Sequence, residues 1–322
     1  MFRSELNPYP FLNKINLKSN VLLLGSCFTI HIGEKLKTNK FSTLTNPYGV
    51  IYNPISLYNC VKNSLNPDEH IENSILENQG VYRHWDFHSD VSHPDKKELV
   101  NKIKDSVNQT SRFIKEADWI IFTFGTSYIF KLKEYDRIVA NCHKIPASKF
   151  DRSILSVEEI TDGFKEAYNL IKAFSADAKF ILTVSPVRHI RDTLELNNVS
   201  KSTLRLACHG IQSELNDVYY FPAYEIMMDD LRDYRFYNQD MLHPNKSAID
   251  YIWDKFKKAC IDDDTNDFLV QWDKILKALN HKPFFPGTEE HKKFISKTIN
   301  EVSRFSNMID VEEEITFLKN QL

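Results

Sequence analysis

Two short stretches, more than two hundred residues apart, carry the residue types that covalent catalysis uses. The first is Gly25-Ser26-Cys27-Phe28-Thr29, which directly follows the apolar run Val21 to Leu24. An apolar run stopped by glycine reads as a buried strand ending in a tight turn, with a helix to follow that Thr29 can cap. A nucleophile in such a turn is exposed, and the first amides of the helix can hold an oxyanion and lower a thiol pKa. A packed, unreactive cysteine is the alternative at this position. The second stretch is Asp240-Met241-Leu242-His243. Two intervening residues let the aspartate accept a hydrogen bond from the imidazole Nδ1 and leave Nε2 as a base. The alternative is a capping contact ahead of a helix. Together the stretches form a nucleophile–His–Asp set in a layout that recurs among hydrolases.

Other polar clusters point to less defined roles. His84 and His88 stand four apart, a spacing that suits a metal only on a helix, whereas Trp85-Asp86-Phe87 reads as strand or loop; no metal is expected there. Either histidine can instead line a pocket mouth. In Asn141-Cys142-His143-Lys144, His143 can position an acyl group or satisfy a buried loop. Arg188, just after an apolar run, can grip a carboxylate or phosphate, or form a structural ion pair with Asp192 or Glu225.

The 322 residues carry a net charge of −3, and the 41 Lys+Arg form no basic stripe, so a nucleic-acid partner is not expected. Val21 to Leu24 is far too short to span a membrane, and Met1-Phe2-Arg3-Ser4-Glu5 lacks the basic start and apolar core of a signal peptide. Five cysteines at scattered spacings, without a C-x-x-C pair, read as free thiols in the cytoplasm. No cofactor is implied.

The elements that must position these residues follow from hydrophobic patterning. Buried strands are expected near residues 20–25, 118–124, 179–184 and 218–221, with further short strands at 81–87 and 128–132. Helices are expected over 55–64, 95–116, 156–174, 200–217 and 246–259. Ile160, Phe164, Ala167, Ile171 and Phe174 mark the buried stripe of the third. Strands alternating with helices predict an α/β layered fold with a mostly parallel sheet. Asp262-Asp263-Asp264 looks like a linker, so the expected division is 1–262 and a tail of three amphipathic helices over 263–322.

Gly25-Ser26-Cys27-Phe28-Thr29 resembles the signature of the GSCFA family, which belongs to the SGNH (GDSL-like) hydrolase superfamily. Residues 46–54, Thr123-Phe124-Gly125-Thr126, 141–144, 183–189, 220–225 and 231–244 resemble the same family. The resemblance spans about residues 20 to 260 and leaves out the tail. It implies a flavodoxin-like three-layer α/β/α sandwich with a Ser–Asp–His triad. Laid on the superfamily pattern, Cys27 takes the place of the nucleophilic serine, with Ser26 one residue away as the alternative. The superfamily's oxyanion donors map to the N–H of Cys27 and to Gly49. The usual third-block asparagine is missing after Gly125, which leaves Thr126 or Asn141 to replace it. The expected function is ester hydrolysis on a small-molecule or glycan ester. Acyl transfer to a sugar hydroxyl or amine, and a non-catalytic acyl- or glycan-binding module, remain open.

Overall fold

The central strands form where apolar residues run without interruption. In β1 (Asn20–Gly25) the side chains from Val21 to Leu24 are all buried, as expected for a parallel strand covered on both faces. A computed structural model describes residues 4–66 and 71–322; the start of the chain read above (Met1 to Arg3) lies outside the described residues. After β1 come α1 (Cys27–Thr38), β2 (Ser42–Thr45), α2 (Pro54–Leu65), the hairpin β3 (Ile75–Asn78) and β4 (Val81–His84), and α3 (Lys96–Glu116). The chain continues through β5 (Trp119–Phe124), a small antiparallel sheet of β6 (Tyr128–Leu132), β7 (Arg137–Val139) and β8 (Phe150–Ile154), then α4 (Val157–Phe174) and β9 (Lys179–Val184). It ends with α5 (Thr193–Glu214), β10 (Val218–Tyr220), the short turn α6 (Ala223–Glu225), α7 (Lys246–Cys260), α8 (Asp263–Leu279), α9 (Glu289–Ser303) and α10 (Glu312–Lys319).

The main sheet has the order β10-β9-β5-β1-β2, and every pairing in it is parallel. Alternate residues of each strand face opposite layers. Leu22, Leu24, Ile120, Phe122 and Phe180 share a core with buried residues of α2 to α5. Val21, Leu23, Trp119, Ile121 and Ile181 share the other with α1, α7 and the tail helices. The result is the three-layer α/β/α arrangement. The chain enters at β1, steps outward to β2, then returns past β1 to β5. The carboxyl ends of β1 and β5 therefore flank the switch point at which open α/β sheets place their sites.

Several boundaries differ from the sequence expectation. Helix α5 begins at Thr193 rather than Ser200; its first turns expose Leu194, Leu196 and Val199 and bury the polar Asn197 and Ser200, so no apolar stripe marks its start in the sequence. The strand expected over 81–87 stops at His84, where the Asp86 N–H turns back onto the His84 imidazole. Helix α4 keeps its stripe, except that Phe174 is exposed beneath Lys115. Its start is set by a capping box: Ser156 Oγ accepts from Glu159 N (3.1 Å) while Glu159 accepts from Ser156 N (2.7 Å).

The expected linker at Asp262–Asp264 is instead a helix start. Ile261 is bridged to Ile15, and the Asp262 carboxylate caps α8 by accepting from Thr265 N at 2.7 Å. Beyond it, Phe268, Leu269, Trp272, Ile295 and Val302 are buried in the same core as α1 and α7. Trp272 also donates its indole N–H to the carbonyl of Thr38 at the end of α1 (3.1 Å).

Candidate active site

Gly25 makes the turn between β1 and α1 sterically possible. It sits at φ +149°, and a Cβ there would lie 2.3 Å from the Thr123 carbonyl oxygen of the neighbouring strand. The Gly25 N–H donates to Asn46 Oδ1 (2.8 Å), and Ser26 N–H to the Thr123 carbonyl (3.0 Å). Ser26 occupies the position before α1, so Thr29, expected as the cap, lies inside the helix with its hydroxyl buried. Ser26 is also sealed, and its hydroxyl has no partner among the described residues. Cys27, one residue on, opens onto a cavity of about 410 Å³ that His243 also lines.

The Cys27 thiol is pushed above its ordinary pKa by burial. The Lys201 charge and the N–H groups of Cys27 and Phe28 pull the other way without overcoming it. The helix start therefore does aim amides at the sulfur, yet the thiol is not lowered as the turn alone suggested. Among the described residues no hydrogen bond joins Cys27 to His243.

Three hydrogen bonds to the Asp240 carboxylate hold the Asp240–His243 pair together. The imidazole Nδ1 meets Asp240 Oδ2 at 2.6 Å, and Asp240 Oδ1 accepts from Leu242 N (2.8 Å) and His243 N (3.0 Å). Those two backbone N–H bonds, then the imidazole, hold the carboxyl down at about 2. Met241 adopts φ +59°, which lets the loop fold back on itself. The loop is tied down by Asn245, which donates to the carbonyls of Phe236 and Arg235 and caps α7 through Ala248 N. Nε2 of His243 is left without a protein partner among the described residues.

The auxiliary residues divide. Thr126 lines the cavity, but its hydroxyl is shared with Ser200 (3.0 Å) and accepts from Tyr128 N (3.1 Å). Gly49 does not line it; its N–H closes a turn onto the Asn46 carbonyl (2.8 Å), so it has no donor to offer. His88 stands against Gly49, paired with Asp90 at 3.0 Å. Asn141 accepts from His143 N (2.8 Å), and His143 is sealed between Ser89 Oγ and the His84 carbonyl, where burial drives its pKa down to about 4. Neither belongs to the cavity wall; both hold a buried loop together. Among the described residues no group of histidines, cysteines and carboxylates could hold a metal. Arg188 does line the cavity. Both carboxylates considered for it are taken: Asp192 pairs with Arg152, and Glu225 with Arg205 at 2.9 Å.

Three contributors were missed in the sequence. Asn53 lines the cavity; its side chain caps α2 by accepting from Ser56 N (2.9 Å) and donates to Ser56 Oγ (3.0 Å), and no described residue accepts its backbone N–H. Its signal was present, an Asn followed by Pro at a helix start. His189 is a wall residue whose pKa burial lowers to about 4, which leaves it neutral. Lys201, in the middle of α5, is 2% exposed and donates to the carbonyls of Gly125 (2.7 Å) and Ser185 (2.8 Å) at the ends of β5 and β9. Burial lowers its pKa to about 7, offset in part by Cys27. A single lysine in a polar helix stretch carries no sequence mark of burial.

The GSCFA family model matches residues 20–256, which include the Gly25–Thr29 turn, the Asp240–His243 loop and the whole main sheet. The chain belongs to the GSCFA family. The tail, which the resemblance read from sequence left out, matches the C-terminal domain of GSCFA domain proteins over residues 272–322. No curated protein matches the chain. Among the described residues no helix is long and apolar enough to cross a membrane, and all five cysteines are free.

Proposed function

We propose that this GSCFA protein is an acyl-ester hydrolase with an SGNH-type site, in which Cys27 is the nucleophile, His243 the base and Asp240 its orienter. The observation that carries the reading is a single cavity holding both the Cys27 thiol, at the start of α1, and an imidazole fixed at 2.6 Å by a carboxylate. Ser26, sealed beneath the turn, is the weaker candidate. In the reaction His243 Nε2 takes the thiol proton as sulfur adds to the ester carbonyl. The tetrahedral oxyanion is held by the N–H groups at the start of α1 and by that of Asn53. Collapse breaks the C–O bond, His243 returns the proton to the leaving alkoxide, and a thioester remains on Cys27. Water then adds, with His243 taking its proton, and the acid leaves as the thiol is regenerated. The missing contact between Cys27 and His243 fits a free enzyme whose catalytic bonds tighten on substrate binding. The free thiols fit a cytoplasmic setting.

The test is hydrolysis of 4-nitrophenyl butyrate by the wild type and by Cys27→Ala, Ser26→Ala and His243→Ala. Loss in Cys27→Ala and His243→Ala with Ser26→Ala active is expected. Equal rates in all four proteins would refute an enzyme at this site, and selective loss in Ser26→Ala would move the nucleophile by one residue.

A further inference from the structure

The cavity beside Cys27 is cationic on one wall. The segment following β9 brings Arg188 and Arg191 to it, and β8 brings Arg152. Among the described residues only Arg152 of the three has a carboxylate partner, Asp192, which is also the one acidic residue seen in the wall. Arg188 lies over the Tyr237 ring (5.4 Å), close enough to its hydroxyl to pull that group's pKa down against burial, and donates to the Met228 sulfur (3.3 Å), while Arg191 lies over Phe130 (5.1 Å). Among the described residues neither guanidinium forms an ion pair. A guanidinium held over an aromatic face by its charge keeps N–H groups that a carboxylate or phosphate can still take. The rest of the wall is largely apolar, with Tyr128, Phe130, Val139 and Leu242. The two histidines there, His189 and His243, add no opposing negative charge.

From this arrangement we propose that the site takes esters bearing an anionic oxygen group, carboxylate or phosphate, which Arg188 and Arg191 grip while the apolar wall receives the rest. The inference rests on the hydrolase reading above, but it names the substrate class of that site and can fail separately. A cavity of about 410 Å³ suits a short chain ending in such a group. The fork of a guanidinium matches either oxyanion in two parallel bonds, which a lysine cannot do.

The test compares kcat/KM for mono-4-nitrophenyl glutarate with that for 4-nitrophenyl butyrate, and for 4-acetoxybenzoate with phenyl acetate, so that the charge is placed on the acyl or the leaving side. The wild type should favour at least one anionic member by about tenfold or more, the scale of one charge-assisted bond. That ratio should fall toward one in Arg188→Met and Arg191→Met and be partly retained in Arg188→Lys. In parallel, binding of glutarate and of inorganic phosphate is followed calorimetrically in Cys27→Ala, with and without Arg188→Met. Binding lost with Arg188→Met, but without turnover of any ester in the wild type, would sink the hydrolase and leave the anion site standing. Turnover with neutral esters preferred on both sides, or ratios unmoved by either arginine variant, would overturn the anion site and leave the hydrolase. Binding of phosphate alone would assign the anion to a phosphate, and of glutarate alone to a carboxylate. Binding of neither overturns the inference.

Discussion

Replacing Trp272 with alanine tests whether the tail is part of the domain that carries the site. The indole is fully buried, stacked on Phe268 and edge-on to Phe305, each at 5.8 Å, and bonded to the Thr38 carbonyl. Removing a buried tryptophan costs about 3–5 kcal/mol through lost transfer energy and the cavity left behind. Unfolding entropy of about 2.1 cal/mol/K per residue over 322 residues comes to roughly 0.7 kcal/mol/K. A loss of about 4 kcal/mol therefore lowers Tm by roughly 6 °C, if the chain melts as one unit. Trp272→Phe keeps most of the ring contact and forfeits the bond to Thr38, about 1 kcal/mol or roughly 1–2 °C. The assay is thermal unfolding read by far-UV circular dichroism and by fluorescence of the remaining tryptophans, among them Trp119 in the central sheet. One transition, moved down in both signals, is the expected result. Two transitions, with only the lower one moved and Trp119 unaffected, would show that the tail melts alone and that the shared core contributes little.

Three further outcomes follow from the site. Because burial holds the Cys27 thiol above its ordinary pKa, it is protonated at neutral pH, and iodoacetamide labelling of the free protein should climb only at a pH above that at which a free cysteine peptide labels, read by mass spectrometry of the labelled peptide; labelling at or below the peptide's pH would contradict this. Asp240→Asn should lower kcat by roughly 10³–10⁴ by losing the imidazole orientation; in the wild type, with Asp240 held at about 2, no acid limb between pH 4 and 8 should belong to that carboxyl, and a pH–rate profile that Asp240→Glu displaces in this range would contradict this. Thr29→Val replaces a buried hydroxyl that has no partner among the described residues with an isosteric methyl, and should leave stability unchanged or raise it by about 1 kcal/mol in urea unfolding.

The legible parts of this chain are those with one strong local cause. Val21 to Leu24, Ile120 to Phe122 and Phe180 to Leu182 read as buried strands because parallel strands covered on both faces need nearly continuous apolar runs. The Asp240–His243 pair was legible because its geometry is local, set by three residues of backbone. The edge strand β2 (Ser-Thr-Leu-Thr) was missed because a half-exposed edge needs no such run. Gly49, Asn141 and His143 were misplaced for another reason. Whether an amide or imidazole is available depends on what its neighbours already take, and those neighbours (Asn46, Ser89, the His84 carbonyl) are fixed only by the fold. Lys201 is the extreme case, since the carbonyls it satisfies come from the ends of two strands remote in sequence.

The small antiparallel sheet between β5 and α4 gives much of the cavity wall: Tyr128, Phe130, Val139, Ala140 and Arg152 all come from one unbroken stretch of 25 residues. The groups that would make and break bonds come from elsewhere, Cys27 from the first turn of α1 and His243 from the loop before α7. If the proposed reaction holds, recognition and reaction are thus written in separate passages of the chain. On the proposed reading, exchanging residues 128–152 between relatives would reshape the apolar wall while leaving Arg188, Arg191, Cys27 and His243 in place, so the fit of the apolar part of a ligand can drift without touching the other groups.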